Sequence, residues 1–264
     1  MIDPRTYQPA PAALAERVVL ITGASDGVGK AVALAAAAHG ARVILHGRNV
    51  RKLEAVYDAI VAAKQPRPSI VQLDFEKAGP DEYEKLAAAL EQEFGRLDAL
   101  LHNAAMLGER APIEHHDVPK WMRTLHVNVT APFILTRYCM PLLRRSADPS
   151  ILFTSSGIVP RPRAYWGAYL VSKWASDGLM HMLADELEKQ PAMRVNSINP
   201  GPVRTNLRLQ AYPAEDPALR VEPGAIVGPY LFLLGSDSRG VTGGTFDCQL
   251  PDGAGACRFG AAAC

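Results

Sequence analysis

An alternation that hardly lapses between residues 17 and 249 restricts this chain more than any other feature. Seven short runs rich in β-branched and apolar residues fall at 17–22, 41–46, 69–74, 97–103, 150–155, 193–199 and 244–249, each of strand length. Between them, 28–39, 50–63, 81–94, 119–143, 168–188 and 223–234 read as helices. Several of the short runs, such as RVVLIT, are apolar at consecutive positions, the pattern of strands covered on both faces. Strand–helix–strand repeats make crossover connections, so the strands run parallel. The expected fold is α/β: a doubly wound sheet of seven parallel strands with helices on both faces. No linker-like stretch divides it, so residues 16–250 form one domain. Residues 1–15, with several prolines, and the Gly/Ala-rich 251–264 read as loosely ordered ends.

The first strand runs straight into TGASDGVGK (22–30) and then a helix. Gly23, Gly27 and Gly29 stand where a chain must turn tightly, admit a pyrophosphate against its backbone and pack the helix on the sheet. With Ser25, Asp26 and Val28 they form a loop whose helix N-terminus offers free N–H groups to phosphates. An ordinary glycine turn has the same composition, but this one's place between first strand and first helix favours a dinucleotide site.

The second strand bears on which dinucleotide. NAD sites place an acid roughly 20 residues past the glycines to bind the ribose 2′-OH. Here the strand ends HGRN, and no acid occurs from 41 to 51. Arg48 and Asn49 occupy the tip, and an arginine suits a 2′-phosphate where a carboxylate would repel it. NADP(H) is therefore favoured over NAD. Asp74, at the end of the third strand, could accept from an adenine amino group or serve as a plain turn aspartate.

The stretch RAYWGAYLVSKW (163–174) spaces Tyr165, Tyr169 and Lys173 four residues apart, on one stripe if all three are helical. Hydride transfer to a carbonyl carbon needs a proton for the oxygen. Tyrosine, with a reference pKa of about 10, is a poor base alone, and a neighbouring ammonium lowers that value. Lys173 can do this for Tyr169, whereas the i+4 neighbour of Tyr165 is Tyr169 itself. FTSSG brings Ser155 and Ser156 to the carboxyl ends of the strands, where open α/β sheets bind ligands. Taken singly, Ser156 is a turn residue, Tyr169 a buried aromatic and Lys173 a surface charge. Their conjunction with the glycine turn points to chemistry.

With these motifs in place, the chain resembles the short-chain dehydrogenase/reductase superfamily over roughly residues 17–247, in its single-domain Rossmann-type form of about 250 residues. Thr22 to Gly29 is similar to the family's TGxxxGxG, Tyr169 to Lys173 to its YxxxK, and Ser156 to its serine by spacing. The resemblance implies that Tyr169 is the acid/base and that Lys173 lowers its pKa and binds the nicotinamide ribose. It also implies that Ser156 orients the carbonyl and that Asn128, in HVNV, anchors a proton-relay water. HNAA (102–105) resembles the element after the fourth strand, with Asn103 supporting the sheet and Ala104 beside the cofactor. NPGPVRT (199–205) resembles the PG motif, which implies that Pro200 and Gly201 bind the cofactor and that Thr205 and the Val203 backbone lie near the nicotinamide carboxamide. Tyr165 and Trp166 would line the substrate mouth or pack the start of the helix. Within the superfamily, ASDGVG, HGRN, YWGAY and SRGVTGGTFD resemble a bacterial subgroup of oxidoreductases, which carries little substrate information.

Composition sets the outer limits. A formal net charge of +1 gives no electrostatic footprint for nucleic acid or an anionic membrane. Apolar runs such as AVALAAAA are short of a membrane span, and the N-terminal residues lack a secretory pattern. Cys139, Cys248, Cys257 and Cys264 have neither disulfide-framework nor metal-ligand spacing, so a reducing cytoplasm is the simplest home and no metal is expected. The long helical segments 121–143 and 168–188 resemble the family's paired dimer helices, which implies a homodimer or homotetramer. The leading reading is an NADP(H)-dependent oxidoreductase interconverting a carbonyl and a secondary alcohol of a small, partly apolar molecule. A cofactor-sensing regulator on the same fold ranks below it, since such proteins can lose the tyrosine or lysine. A structural subunit of a larger assembly is a third reading. Residues 205–223 are the expected lid, and Arg161, Arg163, Arg204 and Arg208 could recognise an acidic group.

Overall fold

Each apolar run becomes a strand of one sheet in the computed structural model, which describes residues 3–190 and 192–249. The 251–264 tail, with Cys257 and Cys264, lies outside the described residues. The strands are β1 (Val18–Thr22), β2 (Arg42–Gly47), β3 (Ser69–Gln72), β4 (Ala99–His102), β5 (Ser150–Thr154), β6 (Arg194–Asn199) and β7 (Thr245–Asp247). All pairings are parallel, in the order β3-β2-β1-β4-β5-β6-β7. The winding reverses between β1 and β4, and a crevice opens there at the carboxyl ends of the strands.

Among the described residues there are eight α-helices: α1 (Gly27–Ala38), α2 (Val50–Ala62), α3 (Pro80–Phe94), α4 (Val118–Leu125), α5 (Ala131–Leu143), α6 (Gly167–Glu186), α7 (Asn206–Ala211) and α8 (Val227–Leu234). Strand side chains alternate between two cores, as pleating requires. Val19, Ile21, Val43 and Leu45 pack with α1, α2 and α8, while Val18, Leu20, Ile44 and Phe153 pack with α3, α5 and α6. The central strands β1, β2, β4 and β5 are apolar at three or more consecutive positions because both faces are covered.

Three expectations need correction. The single helix read over 119–143 is α4 and α5 joined by a π-helical turn, His126–Thr130. Asn128 sits in that turn, where its side chain bonds to the Met106 backbone on both sides, accepting from N and donating to O, each at 2.8 Å. A widened turn of this kind carries a side chain out of the regular helical register. The helix read over 223–234 begins as a 3₁₀ turn, Pro223–Ile226, and becomes α8 only after it. Residues 3–15 are packed rather than loose. The Tyr7 ring meets Phe232 at 5.2 Å, its hydroxyl donates to Asp237 at 2.6 Å, and Leu14 is fully buried. These two side chains cover the apolar surface of α8, worth about 1.5–3 kcal/mol each.

Candidate active site

A cleft of about 940 Å³ lies at the carboxyl ends of the strands. The glycine loop contributes Gly23, Asp26, Gly27 and Val28, and the end of β4 contributes Asn103 and Ala104. Ser156, Tyr169 and Lys173 line it from the other side, with Pro200, Gly201, Val203 and Thr205 after β6. Gly23 and Gly27 have φ of +67° and +53°, the left-handed region that favours glycine. Gly29 is required for a different reason. A Cβ there would lie 2.3 Å from the Gly23 carbonyl oxygen and 2.5 Å from Asn103 Nδ2.

Asn103 ties the loop to the sheet at its reversal. Its backbone N–H donates to Thr22 Oγ1 at 2.9 Å and its amide to the Thr22 carbonyl at 3.1 Å. Asp26 caps α1 through Gly27 N (2.8 Å), and its other oxygen accepts from Lys52 Nζ (2.7 Å) and Asn206 Nδ2 (2.8 Å). The Lys52 bond, chiefly, holds this carboxyl below the usual range. Asn206 opens α7, so the same carboxylate fastens the lid to the loop.

Six of the expected catalytic and cofactor-binding residues do not line the cleft: Ser25, Gly29, Arg48, Asn49, Asp74 and Asn128. Arg48 is 68% exposed at the end of β2, and its Nη1 stands 3.9 Å from Glu76. Ser25 lies against Gly47, its Oγ 3.5 Å from where a Cβ on that glycine would be. Asn49 caps α2 by accepting from Lys52 N at 3.1 Å. Asp74 lies two residues past β3, not at its end, and Oδ1 accepts from Glu76 N at 3.1 Å, so the carboxylate closes a turn. Asn128 also donates to Ser172 Oγ (2.9 Å), while its carbonyl accepts from Ser176 Oγ (3.0 Å).

Tyr169 is buried in the first turns of α6, and Lys173 follows one turn later. Tyr165 does not share their stripe. It precedes the helix, with φ of +71° and 58% exposure, and stays out of the cleft. The reason is tertiary: α6 begins only at Gly167, and His116 fills the space beside that residue, where a Cβ would strike its Nε2. Trp166, by contrast, is buried, lines the cleft and packs 5.8 Å from the Tyr169 ring.

Lys173 Nζ donates to the Thr154 carbonyl at 2.7 Å, its one hydrogen bond among the described residues, and lies 5.7 Å from the Tyr169 ring centroid. Burial lowers the ammonium to about 8, partly offset by Asp177. Burial also pushes the Tyr169 phenol up to about 12, with Ser156 acting in the opposite direction. The expected lowering of the phenol by Lys173 is therefore not what dominates here; desolvation is the larger effect. At neutral pH this phenol holds its proton.

Sequence reasoning missed several neighbours. Asp177 lies at i+4 from Lys173, a spacing that could have flagged it, and it accepts from Ser155 at 2.7 Å. Thr154 contributes through its backbone, which no side-chain pattern reveals. Arg110, from the loop after β4, places its guanidinium 4.9 Å over Trp166 and 5.6 Å over Tyr212, joining three segments distant in sequence. The lid arginines also sort themselves. Arg204 pairs with Glu222 and leaves the cleft lining, while Arg208 and Arg220 both bond to Glu215 and hold its carboxyl down at about 2.

The arrangement fits a dinucleotide. Gly23, Gly27 and Gly29 carry no side chains of their own at the turn into α1, so a phosphate can approach the backbone there. The buried ammonium has protons to spare, and a hydroxyl, a phenol and a cation converge at the far end of the cleft.

Comparison with known proteins agrees with this geometry. Residues 17–216 match the family model described as short chain dehydrogenase. The chain is 43% identical over 243 residues to the uncharacterized oxidoreductase YciK of Escherichia coli, covering 92% of this chain and 96% of that protein. A solved structure from Pseudomonas syringae is 51% identical with a TM-score of 0.91, covering 94% of this chain and all of that one. A structure from Escherichia coli CFT073, complexed with NADPH, is 42% identical with a TM-score of 0.89, covering 92% of this chain and all of that one. The glycine turn, the parallel sheet that presents it and the buried Tyr169–Lys173 pair thus have a common origin: the chain belongs to the short-chain dehydrogenase family of oxidoreductases.

Proposed function

We propose that this protein is an NADP(H)-dependent reductase of aldehydes or ketones, with Tyr169, Ser156, Lys173 and Asn128 as its catalytic group. The observation that carries the reading is the buried Tyr169 phenol, in the cleft with Ser156 and one helical turn from Lys173. A bound nicotinamide dinucleotide supplies or accepts the hydride. The substrate oxygen lies between Ser156 Oγ and Tyr169 Oη; Ser156 orients it, and Tyr169 gives it a proton as negative charge develops there. Lys173 binds a ribose through the N–H groups not given to Thr154 and holds positive charge near the phenolate left behind. Asn128 fixes the Met106 backbone and the α4–α5 turn, and in this reading it anchors a water that relays protons to Lys173. Trp166 and the lid keep the reacting atoms dry.

NADP is preferred over NAD in this reading because Arg48 stands where an acid would bind a 2′-OH, and because a relative 42% identical was solved with NADPH. The glycine loop, Asn49, Asp74, Asn103, Ala104 and the 200–205 segment complete the cofactor contacts. Exposed apolar side chains on adjacent helices, Phe133 on α5 and Val171, Trp174 and Met182 on α6, support a homodimer or homotetramer. No helix among the described residues is long and apolar enough to cross a membrane. Cys139 and Cys248 are free and buried, as suits a reducing cytoplasm.

The test is NADPH and NADH oxidation with a panel of aldehydes and ketones, beside NADPH binding followed by fluorescence. Turnover that prefers NADPH supports the proposal. Tight NADPH binding with no turnover across the panel would favour a cofactor sensor instead.

A further inference from the structure

The substrate end of the cleft holds more guanidinium than its own carboxylates can neutralise. Arg161 and Arg163 line it from the loop between Ser156 and Tyr169. Glu215, the carboxylate at this end, is occupied: it accepts from Arg208 Nε and Nη2 at 2.6 Å and from Arg220 Nη2 at 2.5 Å. The other two carboxylates of the lining are also committed, Asp26 to Lys52 and Asn206, and Asp247 to Asn199 at 2.7 Å. Arg163 reaches only the Tyr212 hydroxyl, at 3.3 Å, and Arg161 makes no hydrogen bond or ion pair among the described residues. Solvated arginines are common on open surfaces. Arg161 and Arg163 are exposed too, but they stand at the rim of a concave, partly apolar site, where a planar guanidinium can meet a carboxylate through two parallel bonds.

Between these arginines and the phenol lies an apolar, largely aromatic wall. Ile158 and Trp166 are buried, and Trp166 lies 5.7 Å from the Tyr212 ring, held under the Arg110 guanidinium. We propose that the substrate is an aldehyde or ketone with an aromatic or apolar middle and a carboxylate at its far end, and that Arg161 and Arg163 receive the carboxylate. This rests on the reductase reading above. The carbonyl meets Ser156 and Tyr169, the middle lies along Trp166 and Ile158, and the acid points to the mouth of the cleft.

The experiment compares kcat/KM for 4-formylbenzoate and 3-formylbenzoate with that for their methyl esters and for benzaldehyde, NADPH being saturating. Two solvent-exposed guanidiniums predict an acid-over-ester preference of about threefold to tenfold for at least one isomer, carried by KM. In the R161A/R163A variant the acid-to-ester ratio falls to near one, and in R161K/R163K it recovers in part, which separates charge recognition from a merely structural role. Raising salt lowers the ratio in the wild type. Ester turnover equal to or faster than acid turnover for both isomers, or a ratio that survives R161A/R163A, would overturn the inference and leave the reductase reading standing. If neither acids, esters nor benzaldehyde are reduced while NADPH binds, the reductase reading itself fails and the inference goes with it.

Discussion

Tyr165 and Tyr169, four residues apart, stand on opposite sides of the start of α6: the first is exposed with φ of +71°, the second buried within the helix. This separation gives two similar substitutions opposite outcomes. Tyr169→Phe keeps the ring and its packing against Trp166 but removes the proton donor. Turnover of any accepted carbonyl should fall by about 10²–10⁴-fold with NADPH binding nearly intact. Tyr165→Phe should leave kcat within a small factor of wild type. Steady-state kinetics on the two variants decides the matter, and wild-type turnover by Tyr169→Phe would refute the mechanism.

Lys173 gives a pH signature. Burial lowers its pKa to about 8, so the ammonium is charged below that pH and progressively lost above it. Affinity for the anionic NADPH should therefore decline as pH rises through about 8. Lys173→Met should bind more weakly throughout and lack this inflection. Fluorescence titrations between pH 6.5 and about 9.5 compare the two profiles.

Arg48 should govern the choice between the two dinucleotides. Its side chain is free to swing, being largely exposed and only 3.9 Å from Glu76 in a loose pair. Arg48→Ala removes a charged hydrogen bond to a 2′-phosphate, an effect of about 1.5–3 kcal/mol. NADPH affinity should drop about tenfold to a hundredfold and NADH affinity little. Equal losses for both cofactors, measured by titration calorimetry, would contradict the assignment.

His46 predicts a stability that depends on pH. It is buried on β2 against Phe75, and burial, outweighing a backbone hydrogen bond with Leu73, lowers its pKa from 6.5 to about 4. Between those values the unfolded chain binds a proton that the folded chain does not. Stability thus falls as pH drops from about 6.5 toward 4, by on the order of 3 kcal/mol from this residue. His46→Phe should lose less stability over that window than the wild type does. Urea midpoints at neutral and acid pH for the two proteins provide the comparison.

The exposed apolar faces of α5 and α6 predict association. Light scattering at micromolar concentration should give the mass of a dimer or tetramer, and Trp174→Glu with Met182→Glu should lower it. A monomeric wild type would count against the proposal.

How much of this could be read from the residues alone follows from the kind of signal each part carries. The seven strands, their parallel pairing and the glycine turn are local or periodic features. Apolar runs covered on both faces and a strand running into TGASDGVG leave few alternatives for the chain. The Tyr169–Lys173 spacing is local too, since one helical turn carries it. Tertiary structure decided what local periodicity cannot express. The break between α4 and α5 depends on Asn128 bonding to Met106, a residue 22 positions away. The order of residues 3–15 comes from Phe232 and Asp237 at the other end of the chain. The exclusion of Tyr165 from the α6 stripe comes from His116 occupying the space beside Gly167. Likewise Arg194 is wholly buried, although its sequence context looks ordinary, because Asp148 meets it at 3.1 Å and Arg17 meets the same carboxylate at 3.0 Å. The site's electrostatics belong to this second class. The same tyrosine–lysine spacing in water would lower the phenol's pKa. Here burial raises it, because desolvation is a property of everything packed around the pair.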